Sequence, residues 1–74
     1  MTNSTEYNGW TNYATWNVAL HIQNNEELYI IARDLDTYAE FRSWLISDKT
    51  PDGISWDNKS LDIEALDDMI KELT

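Results

Sequence analysis

Cysteine is absent from the 74-residue chain, so neither a disulfide nor a thiolate metal site can stabilise it. No run of about 18 apolar residues occurs, and such a run is what a membrane-spanning helix requires. The opening segment MTNSTEYNGW lacks the basic start and the apolar middle of a secretory signal peptide. These three absences predict a soluble, cytoplasmic protein without a membrane partner.

Basic residues are scarce: 5 Lys and Arg oppose 14 Asp and Glu, which gives a formal net charge of -9. Proteins bind the phosphate backbone of nucleic acids by neutralising it with Lys and Arg. Direct binding to nucleic acid or to an anionic membrane is therefore not expected. The charge fits a protein partner with a basic surface, and it equally fits a protein that carries charge only to stay soluble.

Residues suited to catalysis or metal binding are few. Gly9 and Gly53 are the only glycines, which leaves no glycine-rich phosphate loop. A zinc site needs three or four ligands with His or Cys prominent, whereas His21 is the only histidine. We expect His21 on a helix surface, bonding a backbone carbonyl. The sequence predicts no enzyme, no catalytic residue, no cofactor and no bound metal.

One loop, DKTPDGISWDNK at residues 48–59, begins like a calcium-binding loop. Its first, third and fifth positions hold oxygen-bearing side chains: Asp48, Thr50 and Asp52. Gly53 then stands at the sixth position, as in calcium loops. The match fails at position twelve, where Lys59 replaces the required glutamate, and at position four, which is Pro51. We expect a solvated loop without calcium, in which TPDG forms a type I turn.

Apolar residues recur at helical spacing in four segments, and no segment alternates as a strand for more than three or four residues. This pattern predicts an all-α, single small domain of about four short helices. Residues 1–9 are polar and are expected to form a flexible N-terminal tail. Residues 10–74 are expected to form the helical domain.

The first helix is predicted to begin after Thr11, whose hydroxyl is a suitable N-cap. It carries two apolar stripes on nearly opposite sides. One stripe has i, i+3, i+7 spacing: Tyr13, Trp16 and Leu20. The other has i, i+4, i+8 spacing: Ala14, Val18 and Ile22. We expect Trp16 and Leu20 in the core, which leaves the second stripe for a neighbouring helix or a partner.

Three further helices follow from their caps and stripes. Asn24 or Asn25 is positioned to cap the second helix. Thr37 and Glu40 form a capping box for the third, and Asp62 caps the fourth. The predicted apolar face of the second helix comprises Leu28, Ile31, Ala32 and Leu35. That of the third comprises Tyr38, Phe41, Trp44 and Leu45. That of the fourth comprises Ile63, Leu66, Met69, Ile70 and Leu73.

Acidic residues crowd the C-terminal part of the chain. We predict that five of them share one surface that binds a basic partner protein: Asp57, Glu64, Asp67, Asp68 and Glu72. Like charges four residues apart destabilise a helix by about 0.2–0.5 kcal/mol, and a sequence that tolerates this cost can be using the charge. Such a surface would imitate a nucleic-acid backbone or steer a basic partner electrostatically. A solvated helix face without function fits the same residues.

Tryptophan is abundant for a small domain. The chain holds 4 Trp, more than a small core easily hides, and Trp is enriched at protein interfaces. We expect at least one large aromatic side chain to be partly exposed. Trp10 and Trp56 form the second, aromatic candidate for a partner contact.

The segment NGWTNYATWNVALHIQNNEELY, residues 8–29, resembles the signature of small uncharacterised proteins from bacteriophages, cyanobacteria and plasmid-bearing bacteria. The shared positions are Asn8, Gly9, Trp10, Asn12, Tyr13, Thr15, Trp16, Asn17, Val18 and Leu20. Similar chains often carry Trp where this one has His21. The resemblance implies no particular activity. It implies an accessory protein of a phage or mobile element, which would act in the host cytoplasm.

Together these features predict a small acidic, non-enzymatic protein-binding module that binds and modulates a host or phage protein. Its most specific form is an inhibitor that mimics nucleic acid. The alternative is a structural or regulatory homo-oligomer whose interface is the second stripe of the first helix. Mimicry requires acids gathered on one face, whereas oligomerisation requires apolar surface that the monomer leaves uncovered.

Overall fold

The computed structural model describes residues 9–73, and within that range the chain folds into four α-helices. The helices are α1 (Tyr13–Asn24), α2 (Glu26–Arg33), α3 (Tyr38–Ser43) and α4 (Ile63–Lys71). The prediction of an all-α, single small domain is confirmed. Residues 1–8 of the predicted flexible tail, and Thr74 at the other end, lie outside the described residues.

The N-cap of α1 is Asn12, so the prediction of Thr11 was wrong. The Asn12 side-chain oxygen accepts from the Thr15 backbone N–H at 2.8 Å and from the Thr15 hydroxyl at 2.7 Å. The Asn12 amide nitrogen also donates to the Ser60 carbonyl at 2.7 Å. An amide side chain can accept and donate at separate atoms, which suits it to cap a helix and hold a loop at once. Thr11 instead donates to the Asp62 carboxylate.

The buried face of α1 is the predicted second stripe, so the assignment of Trp16 and Leu20 to the core was wrong. This face holds Ala14, Val18 and Ile22. Trp16 is only partly buried, and its ring lies 5.6 Å from that of Tyr13. The face that packs against α2 and α4 is the one with the smaller side chains, which permit close helix approach. The same packing removes this stripe as an oligomer interface.

The caps of α2 and α3 are those predicted. The Asn25 side chain accepts from the Leu28 N–H at 3.1 Å, and the Thr37 hydroxyl oxygen accepts from the Glu40 N–H at 3.2 Å. The capping box closes with one difference: the Glu40 carboxylate accepts from the N–H of Asp36 at 3.2 Å. Both helix starts therefore follow from short-range sequence signals.

Trp44 does not belong to the buried face of α3, contrary to prediction. Tyr38 and Phe41 are buried, whereas Trp44 is 65% exposed. α3 ends at Ser43, and at about 100° per residue Trp44 lies at the edge of the arc that faces the core. A helix this short buries few side chains, and that of Trp44 is not among them.

A long loop, residues 44–62, links α3 to α4 and contains its own hydrogen bonds. In the TPDG turn the Gly53 N–H donates to the Thr50 carbonyl at 2.9 Å, as the predicted turn requires. Gly53 has a φ of 90°, a left-handed value that glycine adopts at little cost. Lys49 and Ser55 pair in an isolated antiparallel bridge.

α4 completes the core. Asp62 caps it as predicted and accepts from the Ala65 N–H at 3.1 Å. The largest fully buried apolar side chains come from α1, α3 and α4: Phe41, Ile22, Leu66, Ile70 and Val18. Ile63 was predicted to lie on the apolar face but is 45% exposed at the first position of α4. None of the four helices within residues 9–73 has the length and hydropathy that a membrane crossing requires.

Candidate functional site

Asp57, one of the five acids predicted to share a surface, is paired within the chain. Arg42 donates to its carboxylate from Nε at 2.9 Å and from Nη2 at 2.8 Å. This bidentate pairing matches the guanidinium fork to the carboxylate and holds the pKa of Asp57 below its ordinary value. Asp48 lies 3.7 Å from the same guanidinium. Asp57 therefore fastens the loop to α3, and its charge is not free for a partner.

Asp67 also has a structural role. Its carboxylate accepts from the backbone N–H of Tyr38 at 2.7 Å. Tyr38 is the first residue of α3, so an α4 side chain satisfies one of the donors that a helix start leaves unpaired. The Asp67 carboxylate is therefore occupied within the fold and is not part of a free acidic surface. An Asp67→Asn change would replace a charged acceptor at the start of α3, so we expect it to lower the stability of the fold.

The other three acids remain together, and we call them the α4 acidic face: Glu64, Asp68 and Glu72. They stand four residues apart along one side of α4, and all three are exposed. None of them forms an ion pair with a residue in the range 9–73. The α4 acidic face is the part of the predicted surface that stays available to a basic partner.

The two tryptophans predicted as a contact have different environments. Trp56 is 3% exposed and packs edge-on against Phe41, with ring centroids 6.0 Å apart. Trp56 therefore offers little surface to a partner. Trp10 is half-buried against the core and borders a depression together with Asp68 and Glu72. Trp10 thus stays a candidate, next to the α4 acidic face.

The most exposed tryptophan is Trp44. It is joined by Ile46, which is fully exposed, and by Ile30, which is 43% exposed. Trp44 links two depressions, one of about 620 Å³ that includes Ile46 and one of about 230 Å³ that includes Ile30. We call these three residues the Trp44 surface. The expectation that at least one aromatic side chain is partly exposed is confirmed, at a residue that helical periodicity had placed in the core.

Charged residues border the Trp44 surface. Glu27 and Lys49 line the larger depression, and Asp34 lines the smaller one. An apolar centre with a charged margin is the usual organisation of a protein–protein contact.

A buried polar network, which the sequence did not predict, connects α1 to the loop. Asn17 is fully buried on α1. Its Oδ1 accepts from the Thr50 hydroxyl at 2.9 Å, and its Nδ2 donates to the Asp52 carboxylate at 2.8 Å. His21 Nε2 lies 3.0 Å from the same carboxylate oxygen. The loop that was expected to be solvated is therefore anchored to α1 through the TPDG turn.

The same network changes the expected roles of His21 and of the calcium-like loop. His21 was predicted to bond a backbone carbonyl, and its partner is instead the carboxylate of Asp52. The hydrogen bonds from Asn17 and from His21 hold the pKa of Asp52 below its ordinary value. Within residues 9–73, no group of three or more His, Asp or Glu is placed to hold a metal ion.

We expect the melting temperature to fall as the pH drops below about 4. Hydrogen bonds lower the folded-state pKa of Asp52, of Asp57 and of Asp62, where the Thr11 hydroxyl is the main donor. A folded pKa below the unfolded one contributes stability above the unfolded value, and that stability is lost as the pH falls through the folded value. Thermal melts followed by circular dichroism between pH 7 and pH 3 measure this.

Two single variants make the pH prediction specific. Asp57→Asn should give a shallower loss of melting temperature below about pH 4, because it removes one of the three groups. Asp68→Asn is the matched control and should retain the wild-type slope, because the Asp68 carboxylate accepts no hydrogen bond from a described residue. Identical slopes for wild type and Asp57→Asn would show that the Arg42–Asp57 pair is not formed in solution.

The comparison with known proteins identifies a family. The model of a family of unknown function (DUF7249) matches residues 3–43, which is more than half of the chain, and the chain belongs to this family. The matched segment contains α1, α2 and α3, and it ends just before Trp44. Neither the curated proteins nor the solved structures contain a significant match to the chain.

Proposed function

We propose that this member of a family of unknown function is a small, acidic, non-enzymatic protein-binding module whose contact is the Trp44 surface. The observation that carries the proposal is the exposure of Trp44 between Ile30 and Ile46. Contiguous exposed apolar side chains on a small protein mark interaction sites more often than isolated ones do. In a chain of 74 residues, leaving three large apolar side chains outside the core gives up stabilisation that a small domain needs.

Trp44 has the properties of an interface hot spot. A tryptophan buries about 150–250 Å², so covering its exposed part would contribute roughly 3 kcal/mol at about 25 cal/mol per Å². Tryptophan is enriched among the residues that dominate binding energy. Its backbone is already held by the end of α3, since the Trp44 N–H donates to the Phe41 carbonyl at 3.1 Å. A contact that is ordered before binding loses less entropy on association.

The partner that fits this surface is a protein with an apolar contact and a basic margin. The chain carries a net charge of -9, and the depressions beside Trp44 are bordered by two acids, Glu27 and Asp34, and by one base, Lys49. Opposite charge on the partner would speed encounter and fix orientation, while the buried tryptophan would supply most of the affinity.

We further propose that the protein is an accessory factor of a phage or other mobile element. In this setting it would act in the host cytoplasm and modulate a host protein, as an inhibitor or another agent of host takeover. The support is the resemblance of the tryptophan-rich segment, residues 8–29, to small phage, cyanobacterial and plasmid-associated proteins.

Nucleic-acid mimicry is the second candidate. The observation that favours it is the α4 acidic face, in which Glu64, Asp68 and Glu72 are exposed and form no ion pair with a described residue. It comes second because Asp57 and Asp67 are used within the fold, which leaves three of the five predicted acids to imitate phosphates.

The alternative from a different class is a homo-oligomer. Its originally predicted interface on α1 is buried, and the Trp44 surface offers another, where two copies would cover each other's apolar side chains. Sedimentation velocity across a wide concentration range separates the two classes. A monomer at all concentrations supports a heterologous partner, and a dimer that Trp44→Ala dissociates supports self-association.

Replacing Trp44 with alanine should weaken binding to the partner by at least about tenfold, as truncation of a hot spot does. Tagged wild-type protein and variants would be used to capture proteins from host lysate, followed by titration of each captured protein. Ile63→Ala is the matched control, since Ile63 is an exposed isoleucine that lies outside the Trp44 surface. A captured protein that binds wild type and Trp44→Ala equally would contradict the proposal.

A further inference from the structure

A cleft of about 450 Å³ lies on another part of the molecule, between α3, the loop and the start of α4. Its walls are mostly apolar and are formed by Tyr38, Ala39, Trp56, Leu61 and Ile63. We call it the α3–α4 cleft. Its volume is in the range of small-molecule sites, about 300–1,000 Å³. Ile63 is 45% exposed here, so the cleft contains apolar surface that the protein itself leaves uncovered.

The charged groups at the cleft differ in how they are used. Arg42 is paired with Asp57 through two hydrogen bonds, so neither charge is free. Lys59 also lines the cleft and forms no ion pair with any residue in the range 9–73. An available cation beside an apolar wall favours an anionic ligand at this point, even in a chain of net charge -9.

Trp56 provides a second, independent observation. The residue is only 3% exposed, and its indole Nε1–H has no hydrogen-bond acceptor among the described residues. Buried donors are nearly always paired, because an unpaired one has lost its water without a replacement. Trp56 lines the α3–α4 cleft and also the larger depression beside Trp44. A bound molecule whose oxygen atom reaches this side chain from the cleft would supply the missing acceptor.

We propose that the α3–α4 cleft binds a small molecule that combines one aromatic ring with a carboxylate. The ring would pack against Leu61, Ile63 and the Tyr38 side chain. The carboxylate would pair with the Lys59 ammonium and offer an oxygen to the Trp56 indole N–H. Lys59, Leu61 and Ile63 do not line the depressions beside Trp44, and the inference does not rest on the proposed function.

The test uses 3-phenylpropionate as the probe, titrated into ¹⁵N-labelled full-length protein. Two-dimensional NMR resolves the indole N–H signals, which Trp→Phe variants assign. The Trp56 indole signal should shift and saturate, whereas the Trp44 indole signal should stay in place. The neutral analogue 3-phenylpropan-1-ol should bind about two- to fivefold more weakly, which corresponds to about 0.4–1 kcal/mol for one exposed ion pair.

Variants distinguish the cleft from nonspecific binding. Lys59→Gln should lower the affinity for 3-phenylpropionate about two- to fivefold. Lys49→Gln is the matched control, because Lys49 is an exposed lysine of the same loop outside the cleft, and it should bind as wild type does. Ala39→Trp should block binding by filling the cleft from its exposed α3 side, with the remaining amide spectrum showing that the fold is kept.

Two results would overturn the proposal. One is a Trp56 indole signal that does not shift, or shifts without saturating, in wild-type protein. The other is an affinity that is the same for wild type, Lys59→Gln and Lys49→Gln, because the ligand would then not be held by the cation of the cleft.

Discussion

A Phe41→Ala variant should lose most of its stability and have a substantial unfolded population at room temperature. Phe41 is fully buried, and its ring lies 5.9 Å from that of Tyr38 and 6.0 Å from that of Trp56. Removing a buried phenylalanine ring costs about 3–5 kcal/mol through lost transfer energy and the cavity left behind. Small domains have total stabilities near the lower end of about 5–15 kcal/mol, so most of the margin would be lost. Urea denaturation followed by circular dichroism measures the effect.

Trp44→Ala is the matched control for Phe41→Ala. The two aromatic residues stand three positions apart at the end of α3, but Trp44 is 65% exposed whereas Phe41 is fully buried. Trp44→Ala should change the free energy of unfolding by less than about 1 kcal/mol, as most exposed substitutions do. If the two variants were equally unstable, the assignment of Phe41 to the core and Trp44 to the surface would be incorrect.

Replacing Asn17 with alanine should destabilise the protein by about 1–3 kcal/mol, the cost of leaving a buried polar group unpaired. The change would remove the acceptor of the Thr50 hydroxyl and one donor to the Asp52 carboxylate. Because Thr50 is itself buried, its hydroxyl would have little access to water. The loss should appear in urea denaturation and as faster hydrogen exchange of the Gly53 and Ile54 amides, which bond to Thr50.

Asn24→Ala provides the control for Asn17→Ala. Asn24 is an exposed residue at the end of the same helix, so its replacement should leave both stability and exchange near wild type. Asn17→Ala with wild-type stability and unchanged exchange at Gly53 would mean that the network does not hold the TPDG turn to α1.

Local sequence signals predicted the helix starts well. Asn25, Thr37 and Asp62 each cap a helix by bonding an N–H three residues later, so the whole motif lies within four residues. The first cap was missed because Thr11 and Asn12 are both good caps by type. Asn12 is favoured by its additional hydrogen bond to the Ser60 carbonyl. Ser60 lies far along the chain, so this bond cannot be inferred from the residues next to Asn12.

Periodicity alone could not choose between the two stripes of α1. Both are apolar at helical spacing, and the stripe with the larger side chains, which includes Trp16 and Leu20, has more apolar surface to bury. The fold instead buries the stripe with the smaller side chains, Ala14, Val18 and Ile22, where α2 and α4 approach α1 closely. Thr15 and Asn17 are also buried, and two uncharged polar residues among the apolar ones at residues 14–20 are the signal that could have pointed to a buried polar network.

The candidate site was only partly predictable for a related reason. The number of acids in residues 57–72 follows from the sequence, but their availability depends on long-range partners. Arg42 occupies Asp57, and the Tyr38 N–H occupies Asp67. Likewise Trp44 stands at a helical position that the spacing assigns to the apolar face, and it is exposed where α3 ends at Ser43.

The affinity of a captured partner for two variants, measured at low and at high salt, tests the central claim most directly. One variant is Trp44→Ala, and the other neutralises the α4 acidic face by Glu64→Gln, Asp68→Asn and Glu72→Gln. The account predicts that Trp44→Ala weakens binding by at least about tenfold at both salt concentrations, because apolar burial is not screened. The acidic-face variant should lose a smaller amount, and only at low salt. Wild-type affinity for Trp44→Ala, together with loss of binding in the acidic-face variant, would contradict the account and favour nucleic-acid mimicry.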